Sequence, residues 1–259
     1  MARAVLITRA AWALALVSLT WGVWRSLQPD ALVDLHHVLQ WTRTLAGGAS
    51  PWAPGSETDY PPWALVTLTP LLLFGDSGAG AGPLWVAVNL AIGVALAAAM
   101  VRLPTVPRAQ RALAMAVVLA VSAFRVLSQF SLLAFALAWA GARDASPWRG
   151  GLWLGLALMK PHVAGPIWLA HLCWRDWRRV GTAALVPIAL TLGAAAWLGQ
   201  SPATLLADYL RTLEFVQGGA EAFTGHTDLE AWLAPLLPPV TTLAGSATLA
   251  AILAGPLLW

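Results

Sequence analysis

Charged side chains are scarce in this sequence of 259 residues: they make up 10% of it, against about 25% in an average soluble domain. Hydrophobic residues, in contrast, make up 59%. So little charge argues against a soluble fold. We therefore predict an all-α membrane protein with several spans, forming a single domain over residues 1–259.

Cysteine and the common catalytic motifs are also missing. The single Cys173 excludes an internal disulfide and, because it lies in an apolar run, is predicted to be a small packing residue. The chain has no Walker A loop, dinucleotide fingerprint, HExxH or GxSxG motif. The adjacent His36 and His37 point in different directions on a helix, and no further cluster completes a metal site. We expect neither a metal nor a cofactor.

The few charges are sorted along the chain. Ten of the fifteen basic residues lie near the start of the chain or in three short linkers: Arg3, Arg9, Arg102, Arg108, Arg111, Arg143, Arg149, Arg175, Arg178 and Arg179. Nine of the twelve acidic residues lie in residues 30–59 and 208–230. By the positive-inside rule, the basic linkers are cytoplasmic, and the external loops span about residues 25–62 and 200–239. Nothing in this distribution supports nucleic-acid binding.

Each predicted external loop contains an amphipathic helix. In residues 30–46 one apolar face is formed by Leu32, Leu35, Leu39, Thr42 and Leu45, which suits a helix on the membrane surface. Asp30, Asp34, His37 and Trp41 share a different face of that helix. In the second loop Ser201 and Pro202 read as an N-cap and first helical residue, and Leu205, Tyr209, Leu213 and Val216 form the apolar face.

The apolar runs differ in length. Residues 5–24, 83–101, 182–199 and 240–259 are predicted spans, and GDSGAGAG before residue 83 is predicted to be a flexible linker. Residues 63–74, which follow the extended Tyr60-Pro61-Pro62, rise only about 18 Å and are predicted to be a partial or re-entrant segment.

Two further runs contain a cation in the middle. Lys160-Pro161 interrupts residues 150–174, and Arg125 interrupts residues 112–142. A hairpin with its apex at Lys160-Pro161 and arms of about 17–20 Å keeps the flanking basic linkers on one side. Two such hairpins, the other with Arg125 near its apex, would put both cations below the outer membrane surface, where they need a cavity filled by water or ligand.

Several side chains are candidates for chemistry. Asp34 would act as a general base, or belong to a solvated helix face. Asp59 would orient a substrate beside Tyr60, or form a local turn. Lys160 and Arg125 suit the phosphate of a lipid, with snorkelling or water contact as the alternative. His162 would add a donor or simply pack, and the same choice holds for His226.

The order of several short motifs resembles a known family. These are Asp34 in the first external loop, LAGGASPW, Tyr60-Pro61-Pro62, Ser128-Gln129, and GLWLGLALMKP ending at Lys160-Pro161. Over about residues 1–235 they resemble the GT-C glycosyltransferases of family 87, which are polyprenyl-phosphate-dependent mannosyltransferases of bacterial membranes. The family's Gly-Gln-x-Asn is represented only by Gln129, and its late Asn-x-Ser is replaced by His226-Thr227-Asp228.

The resemblance implies a GT-C-like helical bundle in the cytoplasmic (inner) membrane, with its site on the external face. It implies inverting transfer of a sugar, usually mannose, from polyprenyl phosphate to a hydroxyl of a lipid or glycan acceptor. Asp34 would be the base, and the cations near Lys160 would stabilise the departing lipid phosphate. Members are commonly longer, so a truncated relative without activity is an alternative. A transporter or flippase for an anionic lipid or solute is another.

Overall fold

A computed structural model describes residues 32–74, 78–101 and 130–218, together with scattered residues between 5 and 24. Within these residues every regular element is a helix, as predicted. They are α1 (Val33–Ala46), α2 (Pro62–Leu68), a 3₁₀ helix (Thr69–Phe74), α3 (Gly78–Val101), α4 (Ser131–Arg143), α5 (Pro147–Ala157), α6 (Pro161–Cys173), α7 (Trp177–Trp197) and α8 (Pro202–Gly218).

Helix α1 has the leucine periodicity that the sequence predicts. The environment of its apolar face, however, differs from the predicted one. Leu35, Leu39 and Leu45 are buried, and they pack in one core with Leu65 of α2 and Trp85 of α3. This face is therefore covered by protein, and the expectation that it rests on the membrane surface is wrong. The loop that follows α1 brings α2 back underneath it, which provides this cover.

The segment after Pro62 forms only a short helix, as the length of its apolar run predicts. Helix α2 has seven residues and rises about 10 Å, and Pro70 lies in the 3₁₀ helix that continues it. Pro61 has the extended backbone expected before a proline, with φ −68° and ψ 159°.

The glycine-rich stretch before residue 83 departs from the prediction. Helix α3 already begins at Gly78, so residues 78–82 are helical and do not form a flexible linker. A Cβ added at Gly82 would come within 2.7 Å of Leu32 Cδ1. A glycine at this point thus lets α3 approach the start of α1 closely.

Helices α5 and α6 form the predicted hairpin, with Lys160 and Pro161 at its apex. They contain 11 and 13 residues, which correspond to about 17 Å and 20 Å. At the other end, Arg179 of α7 donates hydrogen bonds to the carbonyls of Ala142 (3.1 Å) and Asp144 (2.7 Å). The two basic linkers around Arg143–Arg149 and Arg175–Arg179 consequently lie together, opposite the apex.

Glycines allow α5 to pack closely on both neighbours. A Cβ at Gly141 of α4 would lie 2.7 Å from the carbonyl oxygen of Gly150, and one at Gly155 would lie 2.6 Å from Val186 Cβ of α7. Gly151 and Gly155 form a GxxxG pattern, typical of helices that associate within membranes. That pattern is visible in the sequence and could have predicted this contact.

Helix α7 begins five residues before the predicted span. Among the described residues it is the one helix long and apolar enough to cross a membrane, and shorter apolar helices cover Pro62–Leu73, Gly82–Leu96 and Ser131–Arg143. Only 28% of its most apolar window is buried in the protein. The predicted spans at 5–24 and 240–259 lie wholly or mostly outside the described residues.

Two smaller expectations had different outcomes. Ser201 Oγ accepts a hydrogen bond from the backbone N–H of Thr204 at 3.0 Å, so it caps α8 as predicted. Cys173, expected to be a packing residue, is exposed at the end of α6. The apolar run around Cys173 ends with the helix, and the side chain leaves the core there.

Candidate active site

Lys160 lies at the apex of the α5–α6 hairpin and is only 9% exposed. It precedes α6 in a non-helical conformation, and Pro161 is the first residue of that helix. Its Nζ lies 5.3 Å from the centre of the Tyr60 ring, within the range of a cation–π interaction. The hairpin thereby holds a cation inside the protein, against an aromatic face.

Tyr60 is held by the loop that joins α1 to α2. The indole N–H of the buried Trp52 donates to the carbonyl of Tyr60 at 2.9 Å. Thr58 Oγ1 donates to the carbonyl of Pro51 at 2.7 Å, which closes the loop on itself. The Tyr60 ring meets Phe130 edge to face at 6.0 Å. These contacts fix the ring that faces Lys160.

Two carboxylates lie near Tyr60, on separate segments. Burial raises the pKa of the Tyr60 hydroxyl well above its usual value, and the charges of Asp59 and Asp34 raise it further. Asp34 is half-buried on α1, whereas Asp59 is exposed in the loop. With its raised pKa, Tyr60 stays protonated at neutral pH, so it can donate a hydrogen bond but cannot act as the base.

Helix α8 covers the other side of this loop. Thr212 Oγ1 donates to the carbonyl of Trp52 at 3.4 Å, and Tyr209 meets Trp63 edge to face at 6.5 Å. Burial, followed by the charge of Asp59, raises the pKa of Tyr209. Asp59 therefore lies close enough to both tyrosines to influence each hydroxyl.

An apolar groove of about 350 Å³ adjoins the apex. Its lining residues are Trp63, Leu158, Pro161, Pro187, Ile188, Thr191, Leu192, Pro202 and Leu206. Its polar side-chain groups are used internally: Trp63 Nε1 donates to the carbonyl of Leu158 (2.8 Å), and Thr191 Oγ1 donates to that of Pro187 (2.7 Å). The groove is therefore suited to hydrocarbon, and Leu158 and Pro161 bring it next to Lys160.

The polar face of α1 runs from Asp34 towards Tyr60 and Lys160. The rings of His37 and Trp41 are 5.7 Å apart, and those of Trp41 and Tyr60 are 6.2 Å apart. Together with the Lys160 contact, they form a continuous row: His37, Trp41, Tyr60, Lys160. This row passes alongside Asp34, which is one helical turn from His37.

The structure brings together four of the residues predicted for the site: Asp34, Asp59, Tyr60 and Lys160. His162 is exposed on the first turn of α6, and a residue two positions after Lys160 faces another direction. Arg125, Gln129 and His226 lie outside the described residues. No group of three or more potential metal ligands occurs among the residues that the structure describes.

Trp63 and Tyr209 contribute contacts near the site that were not predicted from the sequence. Trp63 ties α2 to the carbonyl of Leu158, two residues before Lys160. Tyr209 was assigned only to an apolar helix face. A tryptophan directly after Tyr60-Pro61-Pro62 was the available signal, but the sequence does not show which carbonyl its indole meets.

Fold and site together define an all-helical protein that holds a cation, an aromatic ring and two carboxylates at one end, beside an apolar groove. A sequence model described as glycosyltransferase family 87 matches residues 58–259. Because that match covers most of the chain, the protein belongs to glycosyltransferase family 87. This family consists of membrane proteins and indicates glycosyltransferase activity.

The matched segment includes Asp59, Tyr60 and Lys160, and it begins after Asp34. No curated protein matches the chain. No solved structure matches it either.

Proposed function

We propose that the protein is a polytopic membrane glycosyltransferase that moves a sugar from a polyprenyl-phosphate donor to a hydroxyl of a lipid or glycan acceptor. The proposed sugar is mannose. The observation that carries this proposal is the buried Lys160, held against Tyr60 with Asp34 and Asp59 nearby. A cation beside two carboxylates suits a reaction in which a phosphate leaves as a hydroxyl loses its proton.

The exposed side of α7 supports a location in the membrane. Leu185, Ile188 and Leu192 are large apolar side chains on its outer surface, and because Ile188 and Leu192 also line the groove, the groove opens on this same surface. A stripe of this kind is unfavourable in water but natural against lipid. The arginines at the opposite end of the bundle favour that end as cytoplasmic, and the hairpin apex would then point towards the external side of the inner membrane.

The donor would lie along the groove and the apex. The groove next to Pro161 suits the prenyl chain, and Lys160 suits the phosphate as a point charge. When the bond between the anomeric carbon and the phosphate oxygen breaks, negative charge accumulates on that oxygen. A cation already held in place stabilises this charge without reorganisation.

Asp34 would be the base. Its carboxylate accepts the proton of the acceptor hydroxyl as that oxygen forms a bond with the anomeric carbon, and polyprenyl phosphate leaves from the opposite face with its bonding electrons. The configuration at the anomeric carbon is thereby inverted. Asp34 is better suited than Asp59 because it is half-buried on a helix, whereas Asp59 is exposed in a loop.

The test uses purified protein in proteoliposomes with radiolabelled polyprenyl-phosphate mannose and a lipid acceptor. Asp34→Asn should lower the rate of covalent transfer by a factor on the order of 100 or more, because the amide cannot accept the proton. Glu57→Gln, an exposed carboxylate in the following loop, should leave the rate unchanged. Wild-type transfer retained by Asp34→Asn would show that Asp34 is not the base. Label that crosses the bilayer without entering a product would instead indicate a flippase.

A further inference from the structure

The rings of His37 and Trp41 lie on the face of α1 that carries Asp34, and Trp41 is in contact with the Tyr60 ring that faces Lys160. Asp34, His37 and Trp41 share one face, because they follow one another at steps of three and four residues. Trp41 is two turns from Asp34, about 10 Å along the axis, and its ring centre is 6.2 Å from that of Tyr60. Tyr60 in turn contacts Lys160.

In the proposed reaction, the group that lies between the phosphate and the proton acceptor is the transferred sugar. If the donor's phosphate lies at Lys160 and the acceptor's hydroxyl at Asp34, the anomeric carbon lies between them. The remainder of the sugar ring must then contact the protein in this interval. The aromatic side chains that α1 presents beside this interval are the half-buried Trp41 and the exposed His37.

We propose that Trp41 is the platform on which the sugar of the donor stacks, with His37 forming the adjacent wall. A pyranose has one face made largely of C–H groups, and an indole ring presents a large apolar face with negative charge density. The His37 and Trp41 rings are tilted by 41° to each other, so they form a shallow angle on the surface of α1 and do not stack face to face. The contacts with Tyr60 fix the platform relative to Lys160.

This inference rests on the proposed function, so its test separates the two. Two probes are used: polyprenyl-phosphate mannose and the same polyprenyl phosphate without the sugar. A glucose-bearing lipid is measured in parallel, since a stacking platform tolerates different pyranoses. Binding is measured directly on purified protein, which does not require turnover. Wild-type protein should bind the sugar-bearing lipid more tightly than the bare phosphate.

Trp41→Leu keeps apolar packing against Tyr60 but removes the aromatic face. It should weaken binding of the sugar-bearing lipids about three- to tenfold, while the affinity for polyprenyl phosphate stays within about twofold of wild type. Trp41→Phe should restore most of the difference between the two probes. Trp177→Leu, an exposed tryptophan at the opposite end of the bundle, should bind both probes as wild type does.

Three results would overturn the platform. One is an equal loss of affinity for both probes in Trp41→Leu, which indicates a structural residue. Another is unchanged affinity for the sugar-bearing lipid in that variant. The third is a wild-type protein that does not distinguish either sugar-bearing lipid from the bare phosphate. Failure of wild-type protein to bind any of these lipids would instead contradict the proposed donor.

Discussion

The two ends of the α5–α6 hairpin use charge in opposite ways. At the end that bears the arginines, charged groups bind each other and the backbone: Asp144 pairs with Arg149, and Arg179 lies between Asp176 and two carbonyls. At the apex, Lys160 faces the ring of Tyr60, and the carboxylates of Asp34 and Asp59 come from different segments. Charges at the first end join helices, whereas those at the apex come together around one aromatic ring, where we propose that the donor binds.

The largest effect expected at the arginine end follows from removing Arg179. Its guanidinium is 7% exposed, and Arg179→Met would leave two carbonyls and the carboxylate of Asp176 without this partner. We expect a loss of about 3 kcal/mol in the free energy of unfolding, measured by denaturation in detergent. Arg178→Met, which changes an exposed neighbour, is the control. Equal stability of the two variants would remove the distinction between the two ends.

The reverse pattern is expected at the apex. Lys160→Met should weaken binding of polyprenyl-phosphate mannose by a factor of about 10 to 100, since the phosphate loses its cation. Acceptor binding should change much less, and the melting temperature should stay near that of wild type because methionine retains the packing of the side chain. Equal weakening of donor and acceptor binding would indicate a structural lysine.

The close contact between α5 and α7 connects the two ends. Gly155→Ala places a methyl group 2.6 Å from Val186 Cβ and 2.8 Å from the carbonyl of Ala183, and it should cost about 1–3 kcal/mol in stability. Gly165→Ala is the matched control, because nothing lies within 4 Å of the added Cβ. That change should be neutral or slightly stabilising, since alanine favours a helix. Thermal unfolding of both variants tests the contact.

The smallest effect concerns the exposed pair in the linker after α4. The side chain of Arg149 hydrogen-bonds to Asp144, and with the backbone N–H of Ser146 it lowers the pKa of that carboxyl below 3.8. Because the folded pKa is lowered, this stabilisation is complete above the ordinary value and is lost as pH falls through the folded pKa.

Arg149→Met removes the largest cause of that pKa shift. The drop in melting temperature between about pH 6 and about pH 3 should therefore be slightly smaller in this variant than in wild type. Asp144→Asn should show the same reduced pH dependence. A steeper fall in either variant would contradict this account of the linker.

Much of the local structure was predictable because its signals are local. The leucine spacing of residues 32–45 predicted α1, Ser201-Pro202 predicted the start of α8, and Lys160-Pro161 predicted the hairpin apex. The prolines and Ser201 act on backbone within a few residues of themselves, and the leucine spacing has the period of the helix that carries it. The flexible linker predicted before residue 83 was wrong for residues 78–82, which form the first turn of α3, and no local signal shows that Gly82 lies against Leu32, which is distant in sequence.

The candidate site was only partly predictable. Asp34, Asp59, Tyr60 and Lys160 were singled out by residue type and by position relative to the apolar runs. Their proximity depends on contacts between distant segments: Trp63 with Leu158, Thr212 with Trp52, and Trp197 with the carbonyl of Leu45. Every residue offers a carbonyl, so an indole or hydroxyl group in the sequence does not reveal its partner.

By itself, the sequence determined an apolar, all-helical chain with its cations sorted to linkers and one of them at a hairpin apex, because composition and periodicity act along the chain. The tertiary structure decided which surfaces those helices cover and what the apex lysine faces. Close approach at Gly82, Gly151 and Gly155, together with indole bonds to carbonyls, sets the helix positions to within a few ångströms. At that precision a tyrosine ring lies against Lys160, and the Trp41 ring lies against that tyrosine.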